Sequence, residues 1–152
     1  MTISPFKTGV LIFVLLAFSG LPVLAQEEGP IKHRQSVMKA VGGHMGAMAA
    51  ILKGQVPFKG DLKAHANAMA ALAKIAARAF PEGSDFGETR AKADIWSKPK
   101  EFATVVQAFI TESAKLAKVA EGGDMAAFGA QFKAMGENAC GACHKAFREK
   151  QK

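Results

Sequence analysis

Cys140-Gly141-Ala142-Cys143-His144 sets two thiols around two small residues, with an imidazole directly after the second thiol. A Cys-x-x-Cys-His run is the attachment signature of c-type haem. Its sulfurs can form thioethers to the porphyrin vinyl groups, and the adjacent histidine can approach the iron from one side. On an α-helix Cys140 and His144 stand four apart and Cys143 three beyond Cys140, so all three address one planar ligand. Other uses of the thiols fit less well. A thioredoxin-like redox pair expects a strand before the motif and a helix opening at it, whereas this motif falls late in a helical stretch. Zinc needs two more ligands at metal-binding spacing, and the chain has no other cysteine. A disulfide across so short a helical loop strains the bridge geometry.

The start of the chain points the same way. Lys7 supplies a positive n-region, Val10 to Phe18 is an unbroken apolar run, and Val23-Leu24-Ala25 offers small residues before a cut. Residues 1–25 are therefore expected to be a secretory signal peptide, cleaved between Ala25 and Gln26. The apolar run is short for a bilayer, and Gly20 and Pro22 interrupt the stretch beyond it, so no stable membrane insertion is expected after processing. Export to the periplasm matters chemically, because bacteria fix haem to this motif outside the cytoplasm. Residues 26–152 suit one domain with one core.

The formal charge of +7 falls to about +6 without the leader, whose only charged residue is Lys7. A basic surface can serve nucleic acid, an anionic membrane or an acidic protein. Nucleic acid fits poorly, since the chain is read as exported and no basic run is interleaved with aromatics. The lysines are spread through the helices as a solvated face would have them. Steering toward other redox proteins with acidic surfaces is compatible with the charge.

Four helices must position these residues. Alanine, leucine, lysine and methionine favour helix by propensity. The first runs from about Ile31 to Lys53, with a seam of Ile31, Arg34, Met38, Val41, Met45, Met48 and Leu52 at spacings of three and four. Gly54 to Gly60, with Pro57, breaks it. Asp61 is the expected N-cap of a second helix, with Leu62, Met69, Leu72 and Ala76 on one face, ending near Phe80 before Pro81 and Gly83. A loop-rich piece, Pro81 to Ser97, carries Trp96. The third helix turns Phe102, Val105, Phe109, Leu116 and Ala120 inward and stops at Gly122-Gly123. Asp124 caps a fourth carrying Met125, Phe128, Phe132, Met135 and Ala139 into the Cys-x-x-Cys-His run, then Phe147. The expected fold is all-α: an antiparallel four-helix bundle with its cofactor in the core.

Arg34 breaks the hydrophobic rule of its seam. A buried lone guanidinium is costly, so two explanations stand. Either it snorkels into water at the helix end, or it meets an anion such as a haem propionate.

Over essentially all of residues 26–152 the chain resembles the class II c-type cytochromes, the family of cytochrome c′ and cytochrome c-556. The resemblance is carried by Arg34-Gln35-Ser36, Lys53-Gly54-Gln55, Ala79-Phe80-Pro81-Glu82-Gly83, Thr89-Arg90-Ala91-Lys92, Ile95-Trp96 and the C-terminal Cys140-Gly141-Ala142-Cys143-His144. It implies one covalent haem c on Cys140 and Cys143, with His144 as proximal iron ligand. Arg34 and Gln35 match positions near the haem edge and propionates. Thr89 and Arg90 fall where the family's loop approaches the haem, usually as Thr-Glu, so Arg90 departs from the pattern. Arg148 is either a neighbour of the proximal imidazole or a surface arginine.

Met38 matches the position facing the distal side of the iron. In cytochrome c′ an apolar or aromatic group there leaves the iron five-coordinate; in the c-556 type a methionine is the sixth ligand. A thioether is a competent soft ligand, and methionine is also an ordinary gap-filler of cores. Met45 is the fallback, Met48 less apt, and Gly42 and Gly43 allow the helix a close approach to the porphyrin. Of the histidines, His33 and His44 lie off the seam, and His65 on its seam suits a helix-face residue better than a ligand. The resemblance implies electron transfer without substrate turnover, or alternatively binding of nitric oxide or carbon monoxide. A haem peroxidase lacks its distal histidine–arginine pair here, and a thiol oxidoreductase would need thiols consumed by haem attachment. Many bundles of the family form homodimers through their first two helices.

Overall fold

In a computed structural model of the chain, residues 23–150 are described. Residues 1–22 of the expected signal peptide lie outside them. Helix α1 spans Val23–Leu52, eight residues longer at its start than the sequence suggests. It runs through Pro30, whose fixed φ suits a helix although its ring removes one backbone donor and crowds the carbonyl four residues before it. Ile31, Arg34, Val37, Val41, Met48 and Ile51 are buried along it. Met38 and Met45 are only partly buried: they pack against the edge of the core and line a cavity.

Helix α2 spans Leu62–Ala76, entered through a 3-10 turn at Lys59–Asp61 and left through another at Ala77–Ala79. Asp61 makes no capping hydrogen bond, contrary to the expectation. The 3-10 turn already carries the chain into the helix with helical dihedrals at Asp61, so its side chain is not needed there. Within the stretch read as loop, Asp94–Ser97 forms one helical turn, α3, which buries Ile95. Helix α4 spans Pro99–Glu121 with Pro99 in its first turn, a position that needs no backbone donor. Asp124 caps α5, Met125–Met135, as expected, accepting from the amides of Ala126 and Ala127 at 2.8 and 3.1 Å.

The last helix is not uniform. Gly136–Gly141 winds as a π-helix before α6, Ala142–Phe147, resumes α-helical geometry. Helices α1, α2, α4 and the composite α5–α6 form the antiparallel four-helix bundle. Met48, Met69, Leu116, Phe128 and Met135 fill its centre with almost no exposure, each worth roughly 1.5–3 kcal/mol of burial. A second cluster of Ile95, Phe102, Val106 and Phe147 sits apart from it. There the rings of Phe80, Phe102 and Phe147 stack edge to face at 5.0 and 5.4 Å. Residues of both clusters line one cavity between them. Among the described residues no helix is long and apolar enough to cross a membrane.

Candidate haem site

The cavity holds about 510 Å³, within the roughly 300–1,000 Å³ typical of small-molecule and cofactor sites. Helix α1 supplies Arg34, Gln35, Met38, Val41 and Met45. The C-terminal helix supplies Ala139, Cys140, Cys143, His144 and Phe147, and the 89–91 segment adds Thr89, Arg90 and Ala91. All eight site residues read from the sequence therefore meet at one place.

Cys140 lies in the π-helical turns, while Cys143 and His144 lie in α6. The simple α-helical spacing expected across the motif does not hold, since a wider i→i+5 turn enters it; such turns are frequent at functional sites. Gly141 serves that turn: a Cβ there would stand 3.2 Å from the carbonyl oxygen of Gly136. Both thiols are half-buried and unpaired. Burial pushes each thiol above its ordinary value, with Cys140 adding to the effect on Cys143. Burial, then Arg148, then Arg90 hold the His144 imidazole below its ordinary value, which favours the neutral ring, whose one unprotonated nitrogen is free to ligate.

Arg34 does not snorkel. It is 3 % exposed, and its Nη1 donates to Ser84 Oγ at 2.8 Å, its Nη2 to Ser84 O and Thr89 Oγ1, both at 2.7 Å. The guanidinium also lies over the rings of Phe80 and Trp96, at 5.5 and 5.8 Å, close enough for cation–π attraction. Burial lowers its pKa, and Asp85 partly offsets that. Three neutral acceptors and two aromatic faces thus hold the cation at the cavity wall. Ser84, 1 % exposed and unremarked in the sequence, is central to this cluster; Gly83 and Pro81 nearby signal only a turn. Gln35 Nε2 donates to the carbonyl of Glu88 at 2.8 Å, tying the same segment to α1.

Arg90 and Arg148 flank the motif on paired backbone. Ala91 and Arg148 form an antiparallel bridge, Lys92 N donates to Phe147 O at 3.0 Å and Glu149 N to Arg90 O at 2.8 Å. Arg90 is brought to the cavity beside the region of His144, the place that its departure from Thr-Glu left open. Arg148 lines the cavity as well, though its side chain is exposed. Lys39, overlooked in the sequence, joins them. Met48 is wholly in the core and, like His33, His44 and His65, does not line the cavity, while Met45 and Gly42 do.

These residues fit a haem: a largely apolar chamber, both thiols and the following imidazole on one wall, and cations Lys39, Arg90 and Arg148 with no carboxylate among the lining residues to oppose two propionates.

The sequence profile of the family described as Cytochrome C' matches residues 29–148. Cytochrome c' of Pararhodospirillum photometricum is 39% identical over 126 residues, covering 82% of this chain and 100% of the relative. Cytochrome c-556 of Agrobacterium tumefaciens (strain B2A) is 34% identical over 124 residues, covering 81% and 99%. Among solved structures, cytochrome c prime from Alcaligenes xylosoxidans has a TM-score of 0.75 at 34% identity, covering 82% of this chain and 97% of that one. The chain belongs to the cytochrome c′ family of class II c-type cytochromes, and its cofactor is a covalently attached haem c.

Proposed function

We propose that residues 1–25 direct export, and that residues 26–152 work in the periplasm as a carrier of single electrons with a His/Met ligand set. Cys140 and Cys143 carry the covalent attachment, His144 is the proximal ligand and Met38 the distal one. The observation that supports this most is that Met38 and His144 line one cavity with both thiols. When bound, haem supplies a one-electron couple, and six-coordination keeps its geometry nearly the same in both oxidation states.

The chain's own part is to position and insulate. The thioether of Met38 is a soft donor and raises the reduction potential relative to nitrogen ligation. The neutral His144 offers a lone pair without first losing a proton. Phe102, Val105, Val106 and Phe109 keep the cavity apolar, which lowers the local dielectric around the couple. Arg34 and Gln35 fix the segment from Ser84 to Thr89 at the haem edge. Other redox proteins, those with acidic surfaces in particular, are the partners this basic chain suits.

A second reading has its own support. Variants of cytochrome c prime from Alcaligenes xylosoxidans have been solved with nitric oxide and with carbon monoxide bound. In that reading Met38 is a steric gate over five-coordinate iron. Absorption and electron paramagnetic resonance of the oxidised holoprotein separate the two. A low-spin ferric signal that turns high-spin in Met38→Ala supports electron transfer; a high-spin wild type that readily takes up carbon monoxide when reduced supports gas binding.

A further inference from the structure

His44 on α1 and His65 on α2 converge through the same ring atom. Their Nδ1 atoms stand 2.9 Å apart, with ring centroids 5.2 Å apart and ring planes inclined at 61°. Both side chains are half-buried, and neither lines the haem cavity. At that distance one Nδ1–H donates to the other Nδ1, so the two rings hold opposite tautomers and share one proton. Packing of α1 on α2 brings together two imidazole nitrogens that the haem chemistry does not use.

We propose that His44 and His65 form a cross-helix site for a divalent transition metal of tetragonal preference, Cu(II) above all. With metal–nitrogen bonds of about 2.0–2.1 Å, nitrogens 2.9 Å apart subtend about 90° at the ion. That is the cis angle of a square-planar or tetragonal centre. A tetrahedral Zn(II) would want the nitrogens about 3.3 Å apart. Cu(II) also heads the divalent affinity series for nitrogen ligands. On binding, the shared proton passes from Nδ1 to Nε2 of its own ring, and each ring tilts so that its Nδ1 lone pair meets the ion beside the N···N line. No proton is released and no electron moves. Among the described residues no third His, Cys, Asp or Glu completes a group, so water fills the remaining positions and the ion exchanges freely. The site is independent of the ligand set at the haem.

The test is a Cu(II) titration of chelator-stripped holoprotein by equilibrium dialysis and electron paramagnetic resonance. One equivalent per chain with splitting from two nitrogens is expected, bound about tenfold or more tighter than in His44→Asn or His65→Asn. His33→Asn should bind as wild type does, and Zn(II) should bind more weakly than Cu(II). Histidine NMR resonances of the unaltered protein give a readout that needs no variant. Substoichiometric Cu(II) should broaden the His44 and His65 signals and leave His33 sharp. An equivalent that survives in both Asn variants, or broadening centred on His33, overturns the proposal.

Discussion

Arg34 grips Ser84 twice across fifty residues of sequence, one guanidinium nitrogen on the hydroxyl and the other on the carbonyl. The same Nη2 reaches Thr89, so one side chain of α1 fixes both ends of the segment that closes the cavity. Three oxygen acceptors from one segment hold the buried guanidinium in place, with Asp85 adding a longer-range attraction.

Arg34→Ala should therefore lower the unfolding free energy of the holoprotein by about 3 kcal/mol, the scale of losing charge-assisted hydrogen bonds and stranding their acceptors. Arg34→Lys should restore only part of it, because an ammonium lacks the planar fork that meets three acceptors at once. Denaturant melts of the three proteins check this; equal stability of Ala and wild type would contradict it.

Gly87 joins Phe86 to Glu88 with φ +96°, and a Cβ there would come within 3.2 Å of Ile31 Cδ1. Gly87→Ala should cost about 1–2 kcal/mol through backbone strain and that contact, lowering the melting temperature by several degrees. Gly60→Ala, where nothing lies within 4 Å and φ is ordinary, should stay within about 0.5 kcal/mol of wild type.

Glu112 joins α4 to α5, accepting from Gln131 Nε2 at 2.6 Å and from Lys115 Nζ at 2.7 Å. The hydrogen bond from Lys115, then that from Gln131, hold its carboxyl below the ordinary 4.5. The unfolded chain then binds more protons at this site than the native one, so its contribution to stability rises with pH. It is fully present above the ordinary value and fades as acid carries the solution down through the lowered native one. Denaturation measured over about pH 3 to 6 should show this slope in wild type and a shallower one in Glu112→Gln.

Gly141 takes part in the wide turn that separates the two thiols from a regular helix. Gly141→Val should reduce the yield of covalently loaded protein several-fold by pushing against the Gly136 carbonyl, whereas Ala142→Ser, at an exposed position, should not. Haem staining of denatured protein reads the difference directly.

The helix faces are legible because burial follows a 3.6-residue period: Met48, Met69, Leu116, Phe128 and Met135 all sit where that period puts them. The thiols and imidazole are legible from chemistry alone. Arg34 stands out as an anomaly, yet its partners do not, since Ser84 and Thr89 reach it only through tertiary folding of a segment whose local signal is turn. Asp61 resembles a cap in composition but is displaced from that task by a 3-10 entry. Asp94–Ser97 is too short for periodicity to register. The meeting of His44 with His65 depends on how two helices are rotated against each other, which neither helix specifies by itself.

The π-helical turn at Gly136–Gly141 gives one continuous helix two phases. Upstream, Phe128, Met135 and Ala139 keep step with the bundle interior; downstream, Cys143 and His144 are set to a different azimuth. An α-helix advances about 100° per residue, and the wide turn absorbs one residue more than an α turn would. Deleting a single residue there would close it to ordinary α-helix with the imidazole still near its chamber, whereas inserting one would swing the imidazole away while every preceding core contact stayed in register.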